Sequence, residues 1–504
     1  MRRIKTGSRE LTACVPGVII AFFLLQLLLD VLAFWQDALG IPALALTVIR
    51  LTAFLGVSGF GFLLSHRKQY YVLLASIALL YLAGHVLAAC GRGYQEPLSD
   101  LTDQFRTLMP FFLTAAMMSF CDSSDRALQA MKSGFVLVLG AIALVVLLSV
   151  LTGSDPHTYV GKQTGTLGWF LWPNSQSAIL SMLSPLTIAW SQERYPNRML
   201  PLALTALGSF GLLFLLGTRL AFVSIPAVGC TMALCMVLAN KANTRRALVV
   251  LGIAVLFTGL YPISPMRKNL SKAGENKAVL QNRIDAAVAA YGVDPSEERT
   301  DNLDALAAAY RYNLQGLVDC FGIERTAAAF DHTLKQSVIF DNRKKKLVFN
   351  DFLMQDANGM NRLFGLEIAS MSQQTELYDF YTDRFESGVE IFAAENDIYG
   401  VFYAGGWVLL IWSIVWMLWF GLRALLALIR RGRELISVSF GAYCIAYGFF
   451  VFYACSTNSV LRQTRNSFCV SAVLAGLWYF TQDPERARAR EGGINVNQHC
   501  DSGL

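Results

Sequence analysis

Two arginines and two carboxylates lie where polar stretches of the sequence meet apolar ones. Arg219 opens the apolar run in GTRLAFVSIPA, and Arg343 lies in the polar stretch DNRKKKLVFNDFL. A guanidinium group can hold a phosphate through two parallel hydrogen bonds, so both residues are candidates for binding a phosphorylated substrate. Glu395 and Asp397 lie in AAENDIYGVFYAGG, just before another apolar run. A carboxylate in that position can accept the proton of an attacking hydroxyl group.

Each of these residues also has a simpler interpretation. Arg219 can mark a turn between two helices or extend its side chain to the membrane surface, and the lysine run after Arg343 is typical of a solvated face. Glu395 and Asp397 can stabilise the first turn of a helix, because acidic side chains interact favourably with its positive end. In a site at the membrane face, the low dielectric constant is expected to raise the pKa of both carboxyl groups.

The sequence lacks the common motifs for metals, nucleotides and hydrolytic triads. The patterns GxSxG, HExxH, GxGxxG and GxxxxGK[ST] are absent, so serine-hydrolase, zinc-protease and nucleotide-dependent hypotheses have no support. The ten cysteines form no CxxC pair, and most of them lie in apolar runs. A zinc site or a disulfide framework is therefore not expected. We expect no metal and no cofactor.

The composition is that of a membrane protein. The chain has 504 residues, of which 54% are hydrophobic and 15% are charged, whereas soluble domains contain about 25% charged residues. This balance excludes a disordered chain, a collagen-like chain and an ordinary soluble enzyme. The polar segment 264–395 is net acidic and the rest of the chain is net basic, which is no nucleic-acid signature.

The apolar runs predict about twelve membrane spans, because a bilayer core needs roughly 20 residues of helix. The longest run, 199–239, is divided by Gly217-Thr218-Arg219. Alternate connections are rich in lysine and arginine, which predicts that both termini are cytoplasmic. The predicted spans lie near 13–34, 40–64, 70–90, 103–121, 134–152, 174–191, 199–217, 219–239, 247–263, 397–420, 435–455 and 465–481.

We therefore predict an all-α, polytopic bundle of helices that crosses a membrane several times. Residues 1–263 hold transmembrane helices 1–9, and 397–482 hold helices 10–12. Residues 264–396 form a large extracytoplasmic loop, and 483–504 form a cytoplasmic tail. The loop is expected to be helical, with helical periodicity from Thr300, over 323–340 and over 343–356.

Two segments in the first half of the chain have counterparts in a known family. GTLGWFLWPNSQSA at 165–178 contains two glycines and ends in the start of a predicted helix of small residues after Pro173-Asn174. LLGTRLAFVS places Thr218 and Arg219 at the start of a span, with Leu220 next. The first resembles a Gly-rich segment, and the second a Thr-x-Ser-Arg-Gly span start, of the bacterial O-antigen ligase and polymerase superfamily.

Two further segments carry the same resemblance. Arg343 is followed about twenty residues later by FGLE, similar to the family's Phe-Gly-x-Gly, with Gly365 on the first glycine and Glu367 replacing the second. ENDIYGVFYAGG resembles the family's His-Asn-x-Tyr segment, which ends in a glycine about eleven residues on, here Gly406. Glu395 stands where most members have histidine, which is the main departure.

The resemblance implies a metal-independent glycosyltransferase of the GT-C type. Its donor would be a glycan on undecaprenyl diphosphate and its acceptor a sugar hydroxyl of a second glycan, at the surface of the lipid bilayer. Arg219 and Arg343, with Arg362 in reserve, would bind the diphosphate. Glu395 or Asp397 would deprotonate or orient the acceptor hydroxyl. The sequence does not distinguish a polymerase from a ligase.

The main alternative is a flippase or another transporter of lipid-linked glycans without transferase activity. Such a protein is expected to assemble charged residues inside the membrane. Arg50 and Arg106 are the basic residues that the predicted boundaries place in the interior of spans. A structural or sensory membrane protein with a ligand-binding loop is a third possibility. Convergence of Arg219, Arg343 and Glu395 on one outward-facing pocket would favour the transferase.

Overall fold

The computed structural model of the chain describes residues 2–379, 384–456 and 460–482. Nine long helices precede the large loop and three follow it. The first nine are α1 (Arg2–Leu39), α2 (Ala43–Leu64), α3 (Lys68–Cys90), α4 (Pro97–Ser123), α5 (Ala127–Leu151), α6 (Pro173–Arg194), α7 (Met199–Leu216), α8 (Arg219–Ala239) and α9 (Thr244–Gly259). The last three are α17 (Asp397–Arg431), α18 (Val438–Ser456) and α19 (Thr464–Phe480). The predicted tail 483–504 lies outside the described residues.

In the described part of the chain, nine helices are long and apolar enough to cross a membrane. This finding confirms a multi-pass α-helical membrane protein. The other long helices, α4, α6 and α19, coincide with predicted spans but are more polar or shorter. Most residues of α6 and α19 are buried. A helix surrounded by other helices can keep serines, glutamines and charged residues, because their side chains meet protein and not lipid.

The large loop contains seven further helices, of 4 to 25 residues, and one β-hairpin. The helices are α10 (Pro265–Ala289), α11 (Leu303–Tyr310), α12 (Gln315–Phe321), α13 (Ile323–Ala329), α14 (Gln336–Ile339), α15 (Asn342–Gln355) and α16 (Gly359–Phe364). They enclose a hydrophobic core of their own, which includes Ile284, Leu306, Tyr310, Phe330 and Phe349. The side of the bundle against which α15 and α16 pack is called the loop face below.

The prediction of a purely helical loop is wrong in one place. Strands β1 (Ser372–Asp379) and β2 (Arg384–Ile391) pair in antiparallel register, with Ser372 opposite Ile391. Polar and apolar residue types alternate along β2, which is the pattern of a strand. The helix predicted over 323–340 is also divided, because Asp331 and His332 adopt positive φ angles of 58° and 51°.

Two glycines allow the loop to cross the bundle at backbone contact. Gly406 has φ 66° and interrupts the helical geometry of α17. Gly365, at φ 94°, passes over the same point. A Cβ atom on Gly365 would collide with Ala404, and one on Gly406 would collide with Leu363. These two positions come from two different segments of the family resemblance, and the fold brings them together.

Polar contacts reinforce this crossing. The N–H of Leu366 donates to the carbonyl oxygen of Tyr403 over 2.8 Å. The ring nitrogens of His85, which is fully buried, lie 2.7 Å from Asp100 Oδ2 and 2.7 Å from the carbonyl oxygen of Phe364. The N–H of Ile368 donates to Asp100 Oδ1 over 3.0 Å. The segment 364–368 is thereby held against α3, α4 and α17.

Candidate functional site

Arg219 is positioned by a tight turn between α7 and α8. Gly217 ends α7 in the left-handed conformation, at φ 68°. Thr218 then caps α8, because its Oγ1 accepts the N–H of Ala221 over 3.1 Å. Arg219 is the first residue of α8 and its side chain is exposed. A cation is unfavourable at the positive end of a helix, so Arg219 does not stabilise α8. The guanidinium group and the N-terminus of α8 would both attract an anion bound at this turn.

Two lysines lie beside Arg219. Lys162, in the connection between α5 and α6, donates from Nζ to Asn269 Oδ1 over 2.9 Å. Lys272 of α10 donates from Nζ to the carbonyl oxygen of Lys162 over 2.6 Å. Burial lowers the pKa of Lys162, and the positive charges of Arg219 and Lys272 lower it further. Lys162 is therefore close enough to both Arg219 and Lys272 to be repelled by their charges.

Tyr159 links this group to Arg343. Burial raises the pKa of the Tyr159 hydroxyl, and the positive charges of Arg219 and Arg343 oppose that rise. Lys162 Nζ lies 5.9 Å from the centroid of the Tyr159 ring. Arg219 and Arg343 thus approach one side chain from different parts of the fold. We call Lys162, Arg219, Lys272 and Arg343 the basic cluster.

Glu395 joins the basic cluster through Arg343. The first turn of α15 is capped by Asp341, whose Oδ1 accepts the N–H of Arg343 over 3.0 Å. From this turn, Arg343 Nε reaches Glu395 Oε2 over 3.5 Å, and Lys346 Nζ reaches Glu395 Oε1 over 2.8 Å. The lysine run is therefore not a uniform solvated face, since Lys345 is buried and pairs with Glu390.

The expected rise in the pKa of Glu395 is wrong. Burial alone would raise it, but the hydrogen bond and charge of Lys346, together with Arg343, lower the pKa of this carboxyl below its ordinary value. Glu395 is therefore ionised at neutral pH. A lowered pKa also makes the Glu395 carboxylate a weaker base than a carboxylate whose pKa is raised, as was expected from the sequence.

Asp397 has a different environment. It is fully buried, and its Oδ2 accepts the N–H groups of Val460 and Leu461 over 2.6 and 2.8 Å. Asn396 caps α17, with Oδ1 accepting the N–H of Ile398 over 2.8 Å. Asp397 therefore ties the start of α17 to the segment before α19.

Arg362 lies apart from the described contacts of the basic cluster. Its Nε donates to the carbonyl oxygen of Met354 over 3.2 Å, and its Nη2 donates to that of Gln355 over 2.7 Å. These bonds satisfy carbonyl groups that are left free at the end of α15. Arg362 thus caps the C-terminal end of α15 in this structure.

Tyr159, Lys162 and Lys272 are not predicted from the sequence as members of the candidate site. Lys162 lies between two predicted spans, on the side of the membrane predicted for Arg219. Their predicted location on the same side of the membrane is the sequence feature that relates Lys162 to Arg219. Among the residues described, no group of three or more His, Cys, Asp or Glu side chains is arranged to hold a metal ion.

The family described as O-antigen ligase like membrane protein matches residues 14–477. The chain belongs to this family. No curated protein matches it. The match extends over all twelve long helices and the loop, so membership in the O-antigen ligase-like family does not depend on one motif. It confirms the resemblance drawn from the four short segments, and it supports a role in ligating or polymerising surface polysaccharide.

Proposed function

We propose that this protein transfers a glycan from undecaprenyl diphosphate to a sugar hydroxyl at the outer side of a bacterial plasma membrane. The observation that carries the proposal is the approach of Arg219 and Arg343 to Tyr159, beside Lys162 and Lys272. A diphosphate leaving group carries about two negative charges, and guanidinium groups bind such oxygens in pairs. Family membership supplies the polysaccharide context.

In the proposed reaction, the acceptor hydroxyl oxygen attacks the anomeric carbon of the donor glycan. The bond between that carbon and the diphosphate oxygen breaks, and its electron pair leaves with undecaprenyl diphosphate. The basic cluster stabilises the charge that develops on the leaving oxygen. The proton of the acceptor hydroxyl passes to a carboxylate or, through it, to solvent. No metal or other cofactor takes part in this scheme.

Glu395 is the proposed partner of the acceptor. In the structure it binds Arg343 and Lys346. When Arg343 turns to the diphosphate, one carboxylate oxygen of Glu395 becomes free to orient the acceptor hydroxyl and accept its proton. Asp397 has no exposed surface, so we propose that it acts indirectly, by holding the segment at Val460 and Leu461 beside the site. Arg362 remains a reserve candidate for contact with the donor.

One cavity bears on the transport alternative. Arg50 and Arg106 line a common cavity of about 240 Å³ together with Arg465. Thr102 and Thr464, near the starts of α4 and α19, also line it. The cavity therefore lies in the loop-face half of the bundle, whereas an alternating-access site is expected near the midplane. We retain the transferase as the main proposal.

A deletion strain complemented with variants tests the proposal. Surface polysaccharide is extracted and sized on a gel. A polymerase is indicated if deletion shortens the chains, and a ligase if full-length polymer accumulates on undecaprenyl diphosphate. Wild-type protein should restore the normal pattern and Arg219→Ala should not. Normal length and attachment in the deletion strain would contradict both forms of the proposal.

The proposed sidedness has a separate test. Reporter fusions after residues 67, 195, 243 and 432 should be cytoplasmic, and a fusion near residue 300 should be external, because lysine and arginine favour cytoplasmic connections. A cytoplasmic reporter near residue 300 would contradict the proposed function, since the donor and acceptor glycans are outside.

A further inference from the structure

The cavity at Arg465 carries an inference that does not rest on the proposed transferase activity. It lies between α1, α2, α4 and α19 and has a volume of about 240 Å³. At its edge, the side chains of Leu51 and Phe105 are 37% and 43% exposed. Both belong to long helices of the bundle, so the cavity opens sideways toward the bilayer. Its polar lining consists of Gln36, Thr47, Arg50, Thr102, Arg106, Thr464 and Arg465.

The cavity holds more positive than negative charge. Arg50 Nη2 pairs with Asp30 Oδ1 over 2.8 Å, and Arg50 Nη1 donates to Thr464 Oγ1 over 2.8 Å. Within the described residues, Arg106 and Arg465 have no carboxylate within ion-pair distance. Three guanidinium groups therefore face one carboxylate. Arginine remains protonated under all ordinary conditions, so the excess charge cannot be removed by loss of a proton.

Arg465 shows most clearly that a partner is missing. It is only 8% exposed, and its Nη1 has no hydrogen-bond acceptor in the part of the chain that the structure describes. A buried charge that lacks a partner costs several kcal/mol. Because the neighbouring acid Asp30 is already bound to Arg50, the described part of the chain supplies no free anion for Arg465.

We propose that this cavity binds the phosphate group of a membrane lipid. A phosphate offers several oxygen acceptors to Arg106, Arg465 and the hydroxyl of Thr464, and arginine suits its geometry. The apolar edge at Leu51 and Phe105 provides a surface for the attached hydrocarbon chain. Arg50 is the eighth residue of α2, so it lies about 10 Å along the helix from its start. This depth is within reach of a lipid headgroup.

A bound phosphate would also stabilise the neighbourhood of Asp397. Arg465 is on the first turn of α19, directly after the segment whose N–H groups Asp397 accepts. Arg462 of that segment forms a buried ion pair with Asp103, which lies between Thr102 and Arg106 on α4. The short segment 460–463 thus contains residues bound by Asp397 and directly precedes residues that line the cavity.

Binding can be measured on the purified full-length protein in detergent. Native mass spectrometry and thermal unfolding would be recorded with phosphatidylglycerol, undecaprenyl diphosphate, phosphatidylcholine or inorganic phosphate. We expect the protein to retain one or both of the anionic lipids in native mass spectrometry, and we expect the retained lipid to raise its unfolding temperature. The double variant R106Q/R465Q should lower affinity for that lipid about tenfold or more, the scale of charged hydrogen bonds. Arg194→Gln, at an exposed arginine on α6, is the matched control.

Two further variants keep the test decisive. Thr47→Trp fills the lining of the cavity without changing a charge, and should weaken lipid binding even if R106Q/R465Q fails to fold. Arg219→Lys should leave phosphatidylglycerol binding unchanged, which separates this cavity from the basic cluster. Binding of undecaprenyl diphosphate that R106Q/R465Q and Thr47→Trp weaken would identify the lipid in the cavity as the carrier. The same result with phosphatidylglycerol would identify a phospholipid. Equal lipid retention in wild type, R106Q/R465Q and Thr47→Trp, or stabilisation by inorganic phosphate alone, would overturn the proposal.

Discussion

Glu395 and Asp397 are separated by one residue but belong to different regions of the molecule. The side chain of Glu395 is 38% exposed beside the basic cluster and contacts the cationic side chains of Arg343 and Lys346. Asp397 is wholly buried at the top of the bundle and contacts backbone N–H groups at Val460 and Leu461. Both are carboxyl groups held by hydrogen bonds, but Glu395 contacts side-chain cations and Asp397 contacts backbone N–H groups, including that of Arg462.

The kind of partner determines what each carboxylate can do. Arginine and lysine side chains have many rotatable bonds and can exchange a carboxylate for a substrate phosphate. Backbone N–H groups can leave Asp397 only if the segment before α19 moves. The loop face therefore provides exchangeable charges, which suits turnover, and the interior provides a fixed one, which suits positioning.

Arg219→Lys should give the largest effect, because it changes the exchangeable region directly. Lysine keeps the charge but loses the planar pair of donors, so transfer should fall about 10²-fold, the scale of a lost transition-state hydrogen bond. The measurement is polymer or ligated product per unit of membrane protein in the complemented deletion strain. Lys268→Ala, an exposed cation of α10 near Lys272, is the control. Equal loss in both variants would indicate a diffuse basic surface.

Glu395→Gln tests whether the exposed carboxylate takes part in the reaction. The change preserves shape but removes the negative charge, so activity should fall by roughly 10²-fold, as expected for a lost general base. The ionised form is the active one and its pKa is lowered. Activity that depends on Glu395 should therefore be lost only as the pH falls below about 4.3, the ordinary glutamate pKa. A loss of transfer activity on acidification that already begins near neutral pH would show that another group is the general base.

Asp397→Asn should instead reduce stability. Asparagine retains one oxygen acceptor, but its NH2 group cannot accept the N–H of Arg462, which donates to Asp397 Oδ1 over 3.5 Å, so the free energy of unfolding should fall by about 2 kcal/mol. The rate per folded molecule should change little. Thermal unfolding and product formation, measured on the same membranes, separate the two effects. A large loss of rate with unchanged stability would show that Asp397 acts directly on the substrate and would end the distinction between the two regions.

The sequence predicted the bundle better than the site. Runs of about 20 apolar residues recur along the chain, and each predicted span coincides with a helix because a lipid environment requires such runs. Arg219 and Arg343 are predicted as site residues because each lies in a recognisable local segment. Tyr159, Lys162 and Lys272 were missed, because the cluster forms only when α8, α10 and the connection between α5 and α6 come together.

The same reason explains two wrong expectations. The pKa of Glu395 depends on Lys346, which is 49 residues away in the chain, and no local pattern indicates that contact. The hairpin was missed because β1 is mostly polar, so the alternation in β2 had no visible partner. Side-chain chemistry that depends on tertiary neighbours is therefore the least predictable part of this protein.

Glu367 extends the comparison to another buried carboxyl group, which accepts the backbone N–H of Gln95, and should give the smallest effect. Burial raises its pKa, and the charges of Asp100 and Glu96 add to the rise, although the Gln95 N–H opposes it. A raised folded-state pKa contributes stability that is complete below about pH 4.3 and is lost as the pH rises through the folded-state value. Glu367→Gln removes this loss while keeping an oxygen for Gln95. The melting temperature of the variant should therefore match wild type near pH 5 and exceed it by a few degrees at pH 8. A variant that is less stable at both pH values would show that the bond to Gln95 requires the charged carboxylate.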